Sequence, residues 1–201
     1  MTAFKTFVGE VNAAYDEGRS EERLIYRVTD AVEDLVADET FLADFGLPIP
    51  NEYQTCLLYQ DPRRGWIVTA STSRDGLYRP PHDHGSTWAV YGVYSGEIQM
   101  NRYRRVDDGR TEGYAELETV AEFVARPGMV DPIVPGGIHE LRYFGDAGIS
   151  VIARSADHTS LVRGRYYPLE KRVEIIDGGA ASTGSREGKV DLRHLAQKVL
   201  K

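Results

Sequence analysis

The residues best suited to chemistry in this chain are three histidines. His82 and His84 stand two apart in Arg79-Pro-Pro-His-Asp-His-Gly-Ser-Thr-Trp88, and His139 follows Pro135-Gly-Gly-Ile. Side chains two apart on a strand leave from the same face, so His82 and His84 could reach one ion. Imidazole suits iron, zinc, copper or nickel, and a third ring would complete one face of a coordination sphere. Taken alone, a His-x-His pair reads more simply as a loop with two solvated histidines. His139, opening a separate strand-like run, favours the ion, so His82, His84 and His139 are the expected metal ligands.

These residues must be held by a scaffold, and 201 residues suffice for one domain with an adequate core. The chain is 41% hydrophobic and 27% charged, the balance of an ordinary globular protein. No apolar run approaches the roughly 20 residues of a membrane span, and the N-terminus lacks the apolar core of a signal peptide. A formal charge of −7 argues against a nucleic-acid partner. Cys56 is the only cysteine, which excludes an internal disulfide and a zinc–thiolate cluster and makes the cytoplasm the expected location.

Three segments are expected: a helical one over 1–50, a strand-rich one over 51–177, and a flexible linker with a short helix over 178–201. In the first, Leu24, Val28, Val32 and Leu35, flanked by Ile25 and Val36, recur at helical spacing after Ser20, a candidate N-cap. In the second, Trp66–Thr72, Trp88–Tyr94, Glu97–Arg105, Tyr114–Val124, Met129–Val134, His139–Phe144, Ile149–Arg154 and Arg172–Ile176 read as strands. Asp107-Asp108-Gly109 and Phe144-Gly145-Asp146 read as hairpin turns. So many short strands suggest a closed antiparallel barrel or jelly roll. Asp191 is expected to cap a last helix with Leu192, Leu195 and Val199 on one face.

Gly76, His82, His84 and Gly96 resemble the first motif of the cupin superfamily, a glycine, a His-x-His pair, a glutamate and a second glycine. Gly128, Pro135, Gly137 and His139 resemble the second, one residue short before the histidine. The resemblance covers roughly residues 53–176. It implies a mainly β fold, a cupin double-stranded β-helix carrying an N-terminal helical segment and a short C-terminal helix. The motif glutamate is replaced by Ala89, which leaves three neutral imidazoles. Neither Glu97 nor Glu140 stands at the motif position.

A three-histidine cupin with an N-terminal helical segment is similar to the thiol dioxygenases, the cysteine dioxygenase family, and to related predicted metal-dependent β-helix enzymes. The resemblance implies Fe(II), with zinc, manganese or nickel as alternatives, and addition of dioxygen to a small thiol or organic acid. Of that family's late-strand Ser, His and Tyr, the matching strand Ser150, Ile152, Arg154 keeps only the serine. The family's carboxylate-anchoring arginine is absent near Thr55 and Cys56. Strand parity puts Arg154 on the face of Ser150, where a guanidinium could clamp a carboxylate, and Tyr91 on the face of Ala89. Ser150, Arg154 and Tyr91 are therefore the expected catalytic residues. The expected partners are a small-molecule substrate and dioxygen, with no nucleic acid or membrane and with homo-oligomerisation left open. Two other functions remain: a Lewis-acid cupin isomerase or hydrolase, and a non-enzymatic metal or small-ligand sensor.

Overall fold

The computed structural model describes residues 2–45, 54–157, 161–178 and 189–200. Two helices come first, α1 (Ala3–Asp16) and α2 (Glu21–Ala37), followed by a single 3₁₀ turn at Ala43–Phe45. The Thr2 hydroxyl caps α1 by accepting the Lys5 N–H at 3.2 Å. Ser20 occupies the N-cap position of α2, but its side chain makes no capping bond. The negative charge of Glu21 and Glu22 in the first turn serves that end instead. The buried stripe of α2 is Ile25, Val28, Ala31, Val32, Leu35 and Val36, the face its spacing predicts.

Ten strands follow: β1 (Gln54–Gln60), β2 (Ile67–Ser73), β3 (Tyr78–His82), β4 (Ala89–Arg105), β5 (Leu117–Ala125), β6 (Val130–Ile133), β7 (Ile138–Arg154), β8 (Val162–Tyr167), β9 (Arg172–Asp177) and β10 (Lys189–Asp191). The short helix α3 (Arg193–Val199) closes the described chain. The Asp191 carboxylate accepts the Arg193 N–H at 3.0 Å, and Leu192, Leu195 and Val199 pack half-buried onto the core. The expected linker lies, after Gly178, outside the described residues. No helix among the described residues is long and apolar enough to cross a membrane.

Strands β4 and β7 run antiparallel beside each other for nearly their whole length. The free edge of β7 pairs with β3 along its first half and with β2 along its second. The free edge of β4 pairs with β6 first and β5 afterwards. Both long strands bend where their register shifts, with Gly96 at φ +80° and Gly145 at φ +72°. The result is a mainly β double-stranded β-helix with a helical pair at its N-terminal end and a short helix at its C-terminal end. The expected hairpin turn at Phe144-Gly145-Asp146 is thus a bend inside one strand, because both flanking halves stay paired to β4.

Strand β2 is buried at all seven positions because the sheet is covered on both faces. Helices α1 and α2 bury Phe7, Val28, Val32 and Leu35 with Leu58, Trp66, Val68, Trp88 and Val151 outside the barrel. Ala89, Tyr91, Val93, Met100, Leu141 and Ile152 form a second cluster inside it. Helix α2 approaches so closely that a Cβ on Gly92 would lie 2.7 Å from both Val32 and Val36.

Gly92→Ala should therefore destabilise the protein by about 1–3 kcal/mol in denaturant unfolding, through overpacking against α2. Gly9→Ala, at an open position in the middle of α1, should instead stabilise it by about 0.5–1 kcal/mol.

Candidate metal centre

His82 ends β3, and its Cα partner across the ladder is His139, near the start of β7. Paired residues on adjacent strands project to the same face, so both rings turn into the barrel. His84 does not share the strand. β3 ends at His82, and His84 sits in the turn beyond it, which corrects the expectation of two ligands on one strand.

Bonds from three sides hold that turn. Asp83 is buried, and its Oδ1 accepts the Gly85 N–H at 2.7 Å. Its Oδ2 accepts the Gly164 N–H at 3.1 Å and the Tyr166 hydroxyl at 2.7 Å, tying the turn to β8. Gly85 has φ +62°, and a Cβ there would lie 2.3 Å from the Val162 carbonyl oxygen, so only glycine fits. The Gly85 carbonyl accepts the Gly136 N–H at 2.8 Å, linking the turn to the residues that lead into His139. The Thr87 hydroxyl donates to the His84 carbonyl at 2.7 Å.

The three ring centroids lie 4.7–5.2 Å apart, and the ligand nitrogens all lie within 4.8 Å of one another. His82 Nδ1 donates to the Pro80 carbonyl at 2.8 Å, which fixes the tautomer and leaves Nε2 for a ligand bond. His84 Nε2 and His139 Nε2 are 3.0 Å apart. Two nitrogens about 2.1 Å from one ion and at right angles across it are separated by about 3.0 Å, whereas a tetrahedral pair is separated by about 3.4 Å. Burial pushes the His82 imidazole down to about 4, opposed by the Pro80 bond and helped by the charges of Arg163, Arg79 and Arg154. Burial, then the charges of His82, Arg154 and Arg102, holds His139 well below its ordinary value. Both rings are therefore neutral near pH 7, the form a metal ion requires. The donor set fits an ion.

Ala89 is fully buried inside the barrel, and no carboxylate joins the three histidines among the described residues. Glu140 points away, accepting from the Tyr78 hydroxyl at 2.9 Å and from Asn101 Nδ2 at 2.6 Å. Glu97 pairs with Arg126. Trp88 packs in the cluster beneath the helices. Arg102 is paired with Asp131, and Arg104 with Glu118. Cys56 is buried, and burial raises its thiol. His158 lies outside the described residues, and His194 is exposed on α3.

A cavity of about 220 Å³ opens beside the histidines. Tyr91 and Arg154 both line it. The Tyr91 hydroxyl is 3.2 Å from His84 Nε2. Arg154 is buried, donates from Nη1 to the Thr69 hydroxyl at 3.1 Å, and holds Cζ 5.8 Å from the centre of the Tyr91 ring. Ser150 is fully buried and does not line the cavity, although its Cα partner Ser71 does. Thr55, near which the resemblance would place an arginine, also lines it. Sequence reasoning missed Asp83, whose only signal was its place between two histidines. It also missed Arg163 and Arg165, which lie on β8, a strand it did not anticipate.

No protein-family model matches this chain, and no curated protein matches it. Among solved structures, an oxalate oxidase in complex with glycolate matches at 21% identity and TM-score 0.40, over 53% of this chain and 52% of that one. An uncharacterised double-stranded β-helix protein from Klebsiella pneumoniae matches at 16% identity and TM-score 0.41, over 56% and 80%. The DMSP lyase DddQ from Ruegeria pomeroyi matches at 14% identity and TM-score 0.42, over 59% and 53%. This chain thus spans about half the length of the oxalate oxidase.

His139→Ala should abolish bound metal in elemental analysis of the purified protein, whereas His194→Ala should leave it unchanged. Asp83→Asn should keep the fold but weaken metal affinity by about 10–100-fold in chelator competition, because the turn that carries His84 loosens.

Proposed function

We propose that the protein is a metal-dependent enzyme of the cupin type, holding iron(II) on His82, His84 and His139 and adding dioxygen to a small organic acid or thiol. The observation that carries this reading is the donor set, three imidazoles beside a cavity with no carboxylate joining them among the described residues. Iron(II), held by His82, His84 and His139, would supply the redox chemistry needed to bring dioxygen and an anionic substrate to reaction.

The chain's own residues have distinct tasks in this reading. Arg154 binds a substrate carboxylate, since its planar fork offers two parallel donors in a buried place. Tyr91 holds its hydroxyl proton beside His84 Nε2, within reach of a substrate atom bound there, and can pass it on. The 5.8 Å approach of the Arg154 guanidinium to the Tyr91 ring keeps the two in register. Ser150 does not line the cavity and is the ladder partner of Ser71, which does, so it supports rather than touches the substrate. The small volume admits only a compact substrate and little water.

The iron-reconstituted protein should consume dioxygen with one member of a panel of small thiols and organic acids, measured with an oxygen electrode. Tyr91→Phe should lower that rate by about 100-fold or more with metal content unchanged. Tightly held zinc, with no uptake after iron reconstitution, would overturn the dioxygenase reading and favour Lewis-acid isomerase or hydrolase chemistry on zinc, manganese or nickel.

A further inference from the structure

Four arginines, Arg79, Arg154, Arg163 and Arg165, line the cavity, and its described lining contains no aspartate or glutamate. The chain carries a formal charge of −7, so this positive cluster is not a reflection of its composition. Arg154 is only 6% exposed, and its Nε has no hydrogen-bond partner. Arg163, half-buried on β8, makes no ion pair with a described residue. Burial, followed by the charges of Arg165 and Arg154, pushes the Arg163 guanidinium below its ordinary value. Asp83 opposes these charges at Arg163, and its oxygens already accept from Gly85, Gly164 and Tyr166. Arg154 is buried and Arg163 half-buried beside one another, and a bound anion would offset the repulsion between two like charges held partly out of water.

The anion's shape follows from the rest of the wall. Leu141, Ile152 and Ile176 also line the cavity, so a ligand that covers them needs a carbon skeleton as well as charge. Inorganic phosphate would satisfy the arginines and leave that apolar surface bare. A cavity of about 220 Å³ suits a compact acid of a few carbons rather than a long chain.

We propose that the cavity binds a short-chain dicarboxylate, one carboxylate on Arg154 beside Tyr91 and the histidines, the other on Arg163 of β8. This narrows the organic-acid reading above and rests on it only for the placement of the first carboxylate. The second is taken by a strand that contributes no metal ligand, so Arg163 sets specificity for a doubly charged acid. An Arg fork on each carboxylate gives paired, charge-assisted hydrogen bonds at both ends.

The test is titration calorimetry on zinc-loaded protein, in which no redox turnover occurs. The ligands are malonate and succinate, the matched monocarboxylates propionate and butyrate, and inorganic phosphate. The dicarboxylates should bind at least about tenfold more tightly than the monocarboxylates of equal length, an advantage of about 1.4 kcal/mol. Arg163→Gln should erase that advantage while leaving monocarboxylate affinity unchanged and the melting temperature no lower. Arg154→Gln should weaken both classes. Equal affinity for the two classes, an advantage that survives Arg163→Gln, tighter phosphate than dicarboxylate binding, or no binding of any acid would each overturn the proposal. Dicarboxylate binding without oxygen uptake by the iron form would sink the dioxygenase reading alone. Oxygen uptake with monoacids only would sink this proposal alone.

Discussion

The full-length pairing of β4 with β7 is the constraint on which the rest of this structure depends. Each strand is 17 residues long, and together they form one bent antiparallel ribbon to which β2, β3, β5 and β6 attach. Strand alternation then sorts every residue of the ribbon between two interiors. Tyr91 and Ile152 face the barrel, while Val90, Val151 and Ala153 face the helices. A one-residue slip would exchange the two sets, turning His139 away from His82 and His84 and carrying Arg154 out of the cavity wall. The same ribbon therefore positions a candidate metal ligand near one end and a cationic wall residue at the other.

What the ribbon does not fix is the turn that carries His84. That turn hangs beyond the end of β3, and its conformation is set by Asp83, by Gly85 and by the backbone bond to Gly136. The arrangement explains why the aspartate sits between the ligands. Its two oxygens face opposite ways, one closing the turn and one reaching β8, so a single carboxylate joins the histidines to the strand bearing Arg163 and Arg165. A buried carboxylate whose oxygens accept from three donors acts as a rigid staple.

Much of this was legible in the sequence, and the parts that were not have physical causes. The stripe on α2 and the strand runs read directly because their periodicity is set by burial on one face or two. The three histidines were legible as a cluster because His82, His84 and His139 each stand near glycine or proline at turn positions. Strand β3 was hidden by Pro80 and Pro81, which fall within a register shift between Arg79 and His82, where fewer ladder bonds are needed. Strand β8, Val-Arg-Gly-Arg-Tyr-Tyr, was hidden by its charges, because side chains that face the cavity are selected for contact rather than packing. The separate halves of β4 and β7 looked like pairs of strands because the glycine at each bend resembles a turn. Long-range contacts such as Asp83 to Tyr166 leave no local pattern at all.

The charge distribution has a kinetic side. An anion approaching this molecule meets a net charge of −7 before it meets the four cavity arginines. The outer repulsion acts through water and is screened over about 8–10 Å at ordinary ionic strength, whereas the attraction inside a low-dielectric cleft is screened far less. At ordinary ionic strength the cavity's own field therefore outlasts that of the net charge, so how long an anion is held depends on the arginines and little on the charge of the molecule as a whole.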